Sequence, residues 1–446
     1  MRTLAGGLLL SGLILLAGCG GESDVSAVSI HTGAYVVLAW NDLGMHCLNP
    51  TYNEAVILPP YNTLWAQVIK RGNPPQIVTE GVTVSYRLLG NTTSYGKTDA
   101  WGGDFAQFWD NAQALFGLAL MQDTGLNLVD PGLHNGLTGQ MIPGATHFQV
   151  DGVPVVPVDD DGNWNPYQVA EITVRNSDTG ESLAQTRATV PTSDEINCGL
   201  CHGQGGVATE SIGGGGPSAF GNILAVHDDE NGTDLVASAP VLCANCHASP
   251  ALGGAPPPSA ENYLSAAIHG SHAERGAACY DCHPGEVTKC NRSLAHTNSS
   301  GNCTACHGDM ARVASSIQNE GRIPWLSEPA CKTCHGGVQE VDTGTTLYRN
   351  AAGHGGLFCA ACHGSPHAML PSSQASDRYQ ALQYQNKAIT LGSCGACHDS
   401  SRGEGADEFG EKHGGSGGRK TACHVCHTVV PSNTAAWPHA YTWRNH

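Results

Sequence analysis

Cys198-Gly199-Leu200-Cys201-His202 is the first of eight Cys-x-x-Cys-His runs in this chain. The others start at Cys243, Cys279, Cys303, Cys331, Cys359, Cys394 and Cys423. A chain of 446 residues with 19 Cys and 22 His should contain about 0.04 such runs by chance. Two thiols one helical turn apart can each add to one vinyl group of a haem, and the next residue then presents an imidazole to the iron from the same side. Structural zinc takes four protein ligands, usually from two Cys pairs, and gives no reason for a His after every second Cys. The expected cofactor is therefore eight haem c. Its covalent positions are Cys198, Cys201, Cys243, Cys246, Cys279, Cys282, Cys303, Cys306, Cys331, Cys334, Cys359, Cys362, Cys394, Cys397, Cys423 and Cys426. Its proximal iron ligands are His202, His247, His283, His307, His335, His363, His398 and His427.

Outward from the first motif, residues 198–446 form a region rich in glycine and proline, as in Gly213-Gly214-Gly215-Gly216-Pro217 and Gly253-Gly254-Ala255-Pro256-Pro257-Pro258. Each motif has about 31 residues of chain, too few to enclose a haem alone. No apolar period persists long enough for a large core. The expectation is a loop-rich, mostly irregular multihaem cytochrome c domain with short helices, in which haems packed on one another replace the missing side chains.

The sixth ligand decides between carrier and catalyst, because an iron with one protein ligand keeps a position open for substrate. Outside the motifs this region holds His227, His269, His272, His296, His354, His367, His413, His424, His439 and His446. His424 sits between the two thiols of the last motif, and His446 ends the sequence. The remaining eight match eight irons. His227, His269, His272, His296, His354, His367, His413 and His439 are thus the expected distal ligands, with Met310 and Met369 as weaker alternatives. All-His ligation lacks the axial Met that raises potential, so low potentials are expected. No catalytic residue is assigned; the competing reading is an octahaem enzyme of the nitrite, hydroxylamine or tetrathionate type with one open iron.

Residues 35–197 read differently. Val36-Val37-Leu38-Ala39-Trp40, Leu64 to Ile69 and Val82 to Leu88 are rich in β-branched and aromatic residues. Ile172 to Arg175 and Gln185 to Val190 flank the turn Asn176-Ser177-Asp178-Thr179-Gly180, which predicts a hairpin. One helix is expected around Phe105 to Met121. The pattern predicts an all-β domain, an immunoglobulin-like sandwich. Residues 19–34 are small and polar and read as a tether. Residues 1–18 have the build of an export signal, a short basic start and the apolar run Leu4 to Ala17, too short to span a bilayer. With 21 basic and 39 acidic residues the net charge is −18, and no basic run suits a nucleic-acid partner. The 40% hydrophobic content argues against disorder.

Two resemblances add to this. Leu16-Ala17-Gly18-Cys19 resembles the lipobox of bacterial lipoproteins, which implies a signal peptide over 1–18, lipidation of Cys19 and, with Gly20 following, sorting to the outer membrane. The haem half resembles the extracellular multihaem c-type cytochromes of metal-reducing bacteria. The resemblance is carried by the motifs, by Cys282-His283-Pro284-Gly285 through Cys290-Asn291-Arg292-Ser293, by Gly353 to Cys359 and by Trp437 to Trp443. Leu38 to Cys47 is similar to the front domain of some of these proteins. The resemblance implies electron transfer across the envelope or to extracellular acceptors, with other multihaem cytochromes as partners and, in some members, homopolymeric filaments. The smaller signals have plainer readings. Cys47 and Cys290 are left over and either pair or stay thiols. Asp159-Asp160-Asp161-Gly162-Asn163 lacks the EF-hand glycine at its sixth place and reads as an acidic turn. His46, His134 and His147 read as polar contacts.

Overall fold

The computed structural model describes residues 33–72, 74–130, 132–210, 218–254, 257–285, 287–296, 303–331 and 346–399. The expected export signal, Cys19, most of the expected tether, Cys334, His335, Cys423, Cys426, His427, His413 and His439 lie outside the described residues, as do His424 and His446.

The strands are β1 (Tyr35–Asn41), β2 (His46–Cys47), β3 (Ala55–Val56), β4 (Asn62–Lys70), β5 (Gln76–Val78) and β6 (Val82–Leu89). They continue with β7 (Thr138–Gln140), β8 (Ile142–Pro143), β9 (Phe148–Val153), β10 (Tyr167–Asn176), β11 (Ser182–Ser193) and β12 (Val241–Leu242). One sheet runs β1-β4-β9-β8 with β5 on β4; the other runs β2-β11-β10-β6-β7. Their pairings are antiparallel apart from β2 on β11. On β6 the inward residues Val82, Val84, Tyr86 and Leu88 alternate with Thr83, Ser85, Arg87 and Leu89. They join Ala170, Ile172 and Val174 of β10 and Val37, Leu64, Ala66 and Val68 of the facing sheet in one core. The expected hairpin is β10–β11, closed through Gly180 at φ +71°.

β1 explains its own unbroken apolar run. Val37 and Ala39 enter the sandwich core, while Val36, Leu38 and Trp40 pack with Phe358, Ala360, Tyr384 and Ala396. A strand covered on both faces has no polar side to write into its sequence. The cover comes from the half that carries the Cys-x-x-Cys-His motifs.

The helices are α1 (Ala106–Phe116), α2 (Gly199–His202), α3 (Val207–Glu210), α4 (Ala219–Asn231), α5 (Leu264–Ala273), α6 (Cys303–His307), α7 (Met310–Glu320), α8 (Cys359–His363) and α9 (Tyr379–Gln385). α1 is shorter than the sequence suggests, because Gly117 at φ +72° donates back to the Gln113 carbonyl and ends it. Among the described residues no helix is long and apolar enough to cross a membrane.

Two devices fasten the halves. Along α9, Gln380, Gln383 and Tyr384 share one face (i, i+3, i+4) and act as substitute strand partners. The Gln380 side chain accepts from Ala39 N–H at 2.9 Å, that of Gln383 donates to the Gln185 carbonyl at 2.8 Å, and the Tyr384 hydroxyl donates to the Val37 carbonyl at 2.8 Å. Strand edges otherwise left open are thereby satisfied. The second device is Arg292, only 2% exposed, which pairs with Asp377 at 2.8 Å and donates to the Gly44 carbonyl at 2.5 Å. Arg292→Met should destabilise the fold by ~3–5 kcal/mol, since Asp377 is left charged and buried. Urea unfolding measures this, and adding Asp377→Asn should recover part of the loss.

Asp194, four residues before the first motif, is buried and accepts from Trp164 Nε1 at 3.0 Å. Burial, and then the adjoining Asp99 carboxylate, push its pKa up. Burial opposes ionisation of Asp99, but the hydrogen bond from Asp194 and the N–H groups of Gly103 and Trp101 outweigh it and hold that carboxylate low. A carboxyl that stays protonated in the folded state loses its stabilising contribution as pH rises from the ordinary carboxylate range through the raised value. The unfolding midpoint should therefore fall between about pH 4 and about pH 8 and level off above, and Asp194→Asn should flatten that slope.

Candidate paired-histidine sites

Each described motif closes one helical turn. The His202 N–H donates to the Cys198 carbonyl at 2.9 Å, His247 to Cys243 at 3.0 Å and His283 to Cys279 at 2.8 Å. Positions i, i+3 and i+4 then share a face, so two thiols and an imidazole are presented together. Cys198, Cys201 and His202 lie at α2, Cys303, Cys306 and His307 form α6, and Cys359, Cys362 and His363 form α8. Cys243, Cys279 and Cys394 each begin a single 3₁₀ turn, and Cys331 is the last residue described before a gap.

Five motif histidines face five of the histidines expected as distal ligands. The ring centroids are 6.3 Å apart for His202 and His272, 6.3 Å for His227 and His247, and 6.1 Å for His269 and His283. They are 6.2 Å apart for His307 and His367 and 6.1 Å for His354 and His398. Two imidazoles on opposite sides of one metal, each bonded at about 2.0–2.1 Å, hold their centroids about 6 Å apart. The five separations agree with each other and with that value, although the pairs come from unrelated local structures. Among the described residues no three His, Cys, Asp or Glu side chains converge on a metal position. The histidines meet in twos.

The ring nitrogens are oriented as metal ligands require. A ligating His normally gives its other N–H to a carbonyl or carboxylate, which fixes the tautomer. Nδ1 of His269 lies 2.7 Å from the Ser265 carbonyl and that of His272 lies 2.8 Å from the Ile268 carbonyl, one turn back along α5. Nδ1 of His202 meets Asn222 Oδ1 at 2.7 Å, that of His227 meets Thr233 Oγ1 at 2.9 Å, and that of His367 meets the Leu43 carbonyl at 3.1 Å. In each case the bond uses Nδ1 and not Nε2. Burial pushes His283 and His367 down to about 4, so both are neutral and able to bind metal at physiological pH. Several buried donors lack partners at or near these sites: Asn222 Nδ2, His247 Nδ1, and the indole N–H groups of Trp40 and Trp65, whose rings pack on Phe358 beside Cys359. Polar groups of a bound cofactor would satisfy them. On these counts the residues present fit haem c.

His296 is held through Nδ1 at 3.3 Å from Ser293 Oγ, and His413 and His439 lie outside the described residues. His46 bonds Asp42 at 2.8 Å, His134 meets the Gly125 carbonyl at 3.2 Å, and His147 stacks on Trp65 at 4.7 Å, as polar contacts of the β half. Asp159 folds its own turn by accepting from Asp161 and Asn163 N–H groups. Cys47 and Cys290 are free thiols in the structure, and burial pushes Cys290 up to about 11.

Sequence reading missed how the β half sets the motifs. β3 pairs with β12, which ends directly before Cys243. The Glu195 carboxylate accepts from Thr288 N–H at 2.7 Å, just after the third motif. Gln67 bridges Gly356 and Phe358, with 3.1 Å to the Gly356 carbonyl and 2.9 Å from Phe358 N–H, and so holds the entry to α8. Arg71 donates to the Ala396 carbonyl at 2.8 Å within the seventh motif. Gly44, at φ +88°, lets the backbone approach His367; a Cβ there would lie 3.1 Å from the His367 nitrogen. Single polar residues 93 to 325 positions away carry no periodic signal, so none of this could be read in advance.

Protein-family models, curated proteins and solved structures were compared with the chain, and none matches it.

A metal held between His307 and His367 should lose its second imidazole in His367→Ala. The expected result is one new high-spin ferric signal per chain by electron paramagnetic resonance, with the other sites unchanged.

Proposed function

We propose that this chain is an octahaem c-type cytochrome, an electron carrier with no catalytic site of its own. The observation that carries the reading is the set of five facing histidine pairs, each with one member from a Cys-x-x-Cys-His motif. Two imidazoles on an iron leave it no open coordination position. That favours electron transfer over the enzyme reading, which needs one. Bound at these sites, haem c would supply one-electron oxidation and reduction. The chain's own residues fix the imidazole planes through Ser265, Ile268, Asn222, Thr233 and Leu43, keep His283 and His367 neutral by burial, and hold neighbouring sites in contact.

The remaining features fit this role. We read the β half as an immunoglobulin-like sandwich, with the shared core of its two sheets in support. The lipobox-like Leu16-Ala17-Gly18-Cys19 supports export and lipid anchoring at the outer membrane or cell surface. Partners would be other multihaem cytochromes or extracellular acceptors, and a filament of identical chains is an assembly of the same function.

A pyridine haemochrome titration against protein mass should return eight covalent haems, and the ferric spectrum should be entirely low-spin. Six or fewer haems in fully matured protein, or a stoichiometric high-spin site in the unaltered chain, would overturn the proposal.

A further inference from the structure

The facing pairs also carry information about which sites are neighbours. α5 bears both His269 and His272, yet His272 faces the first motif (His202) and His269 faces the third (His283). Residues three apart on a helix are surface neighbours, so one turn of α5 stands between the first and third sites. The thiols agree: Cys198 is within electrostatic reach of Cys282, and Cys282 of Cys201. α4 performs the same service one site further out. Its Asn222 is bonded to His202 of the first motif, and its His227 faces His247 of the second. Cys243 of the second motif lies within reach of Cys198. The third and fourth motifs adjoin through Cys279 with Cys303 and through His283 with His307.

The sixth motif is flanked by reaching histidines on both sides. His354, five residues before Cys359, faces His398 of the seventh motif, and His367, four residues after His363, faces His307 of the fourth. Cys362 and Cys397 are also within reach of each other.

We infer that these six sites stand in the neighbour order second, first, third, fourth, sixth, seventh, so that the second is the end member among the six and the first lies between it and the third. This rests on the proposed haem binding. The order departs from the sequence at one place. An electron entering or leaving at that end exchanges with the site of His227 and His247, and the site of His202 and His272 joins it to the rest.

The order is testable in the full-length, haem-loaded protein. His227→Met marks the second site with the far-red ferric band of a His–Met iron, so its redox titration can be followed alone. Onto this background, Cys198→Ala/Cys201→Ala removes the first haem and Cys279→Ala/Cys282→Ala the third. Charge on an adjacent site shifts a neighbour's midpoint. Removing the first haem should therefore shift the marked titration curve, and removing the third should leave it in place. A shift of comparable size on losing the third haem, or no shift on losing the first, would overturn the order. A second measurement removes no haem: His269→Ala and His272→Ala should each create one carbon-monoxide-binding haem after reduction, and the double variant two. A single such haem in the double variant would show that α5 serves one iron, and the order would fail. Haem count and spin state are measured first on the unaltered protein, so that a shortfall there counts against haem binding itself and is distinguishable from a wrong order.

Discussion

Two imidazoles that share one metal cannot choose their separation, and the five histidine pairs of this chain all stand 6.1–6.3 Å apart. Under the proposed function, much of the half that carries the Cys-x-x-Cys-His motifs would follow from that constraint. The pairs bring together residues 14 to 70 positions apart, and with a metal held between them, as proposed, each would act as a cross-link. A region with many glycines and few aromatic side chains would gain from such links, because its own apolar clusters are small; one of them has Tyr263, Ala266 and Ile317 as its buried residues. Under the proposed haem binding, fixed pair spacing would take over the role that close-packed side chains play elsewhere.

The β half is the rigid body against which those links are set. Its inner core is closed by two sheets, and the outward residues of β1 and β4 pack on Phe358, Ala360, Tyr384 and Ala396. Polar residues then address individual motifs: Arg71 the seventh, Gln67 the sixth, Glu195 the segment after the third. Each is a side chain bonded to backbone, which fixes position without demanding a particular residue on the other side. Loops that bind cofactors gain from this arrangement, since their sequence is free to serve the motif while their path is set from outside.

The contrast between the legible and illegible parts has a physical basis. β6 and β10 were readable because one face meets the core and the other meets solvent or polar neighbours, and alternation follows. The motif turns were readable because chemistry fixes their spacing. Counting singled out His227, His269, His272, His354 and His367, which stand opposite motif histidines, but not which partner each meets, since nothing in a local window tells His272 from His269. β1 gave a strand but concealed its second packing face. α9 left no signal at all: Gln380 and Gln383 look like surface residues until the open edges they satisfy are known.

The placement of α5 shows why local helix geometry matters to a chain of sites. In a helix, an imidazole can bond the carbonyl four residues back, and both His269 and His272 do so. Their orientation is thus fixed by the helix that carries them, with no further residue needed. Because three residues advance the helix by about 300°, at roughly 100° per residue, the two rings diverge by only about 60°. They can face different partners, His283 and His202, while their own attachment points stay within one turn. One short helix therefore sets the mutual position of two sites more tightly than two independent loops could. In the proposed row, spacing controls exchange between sites, and a helix, α5, stands between the first and third motifs.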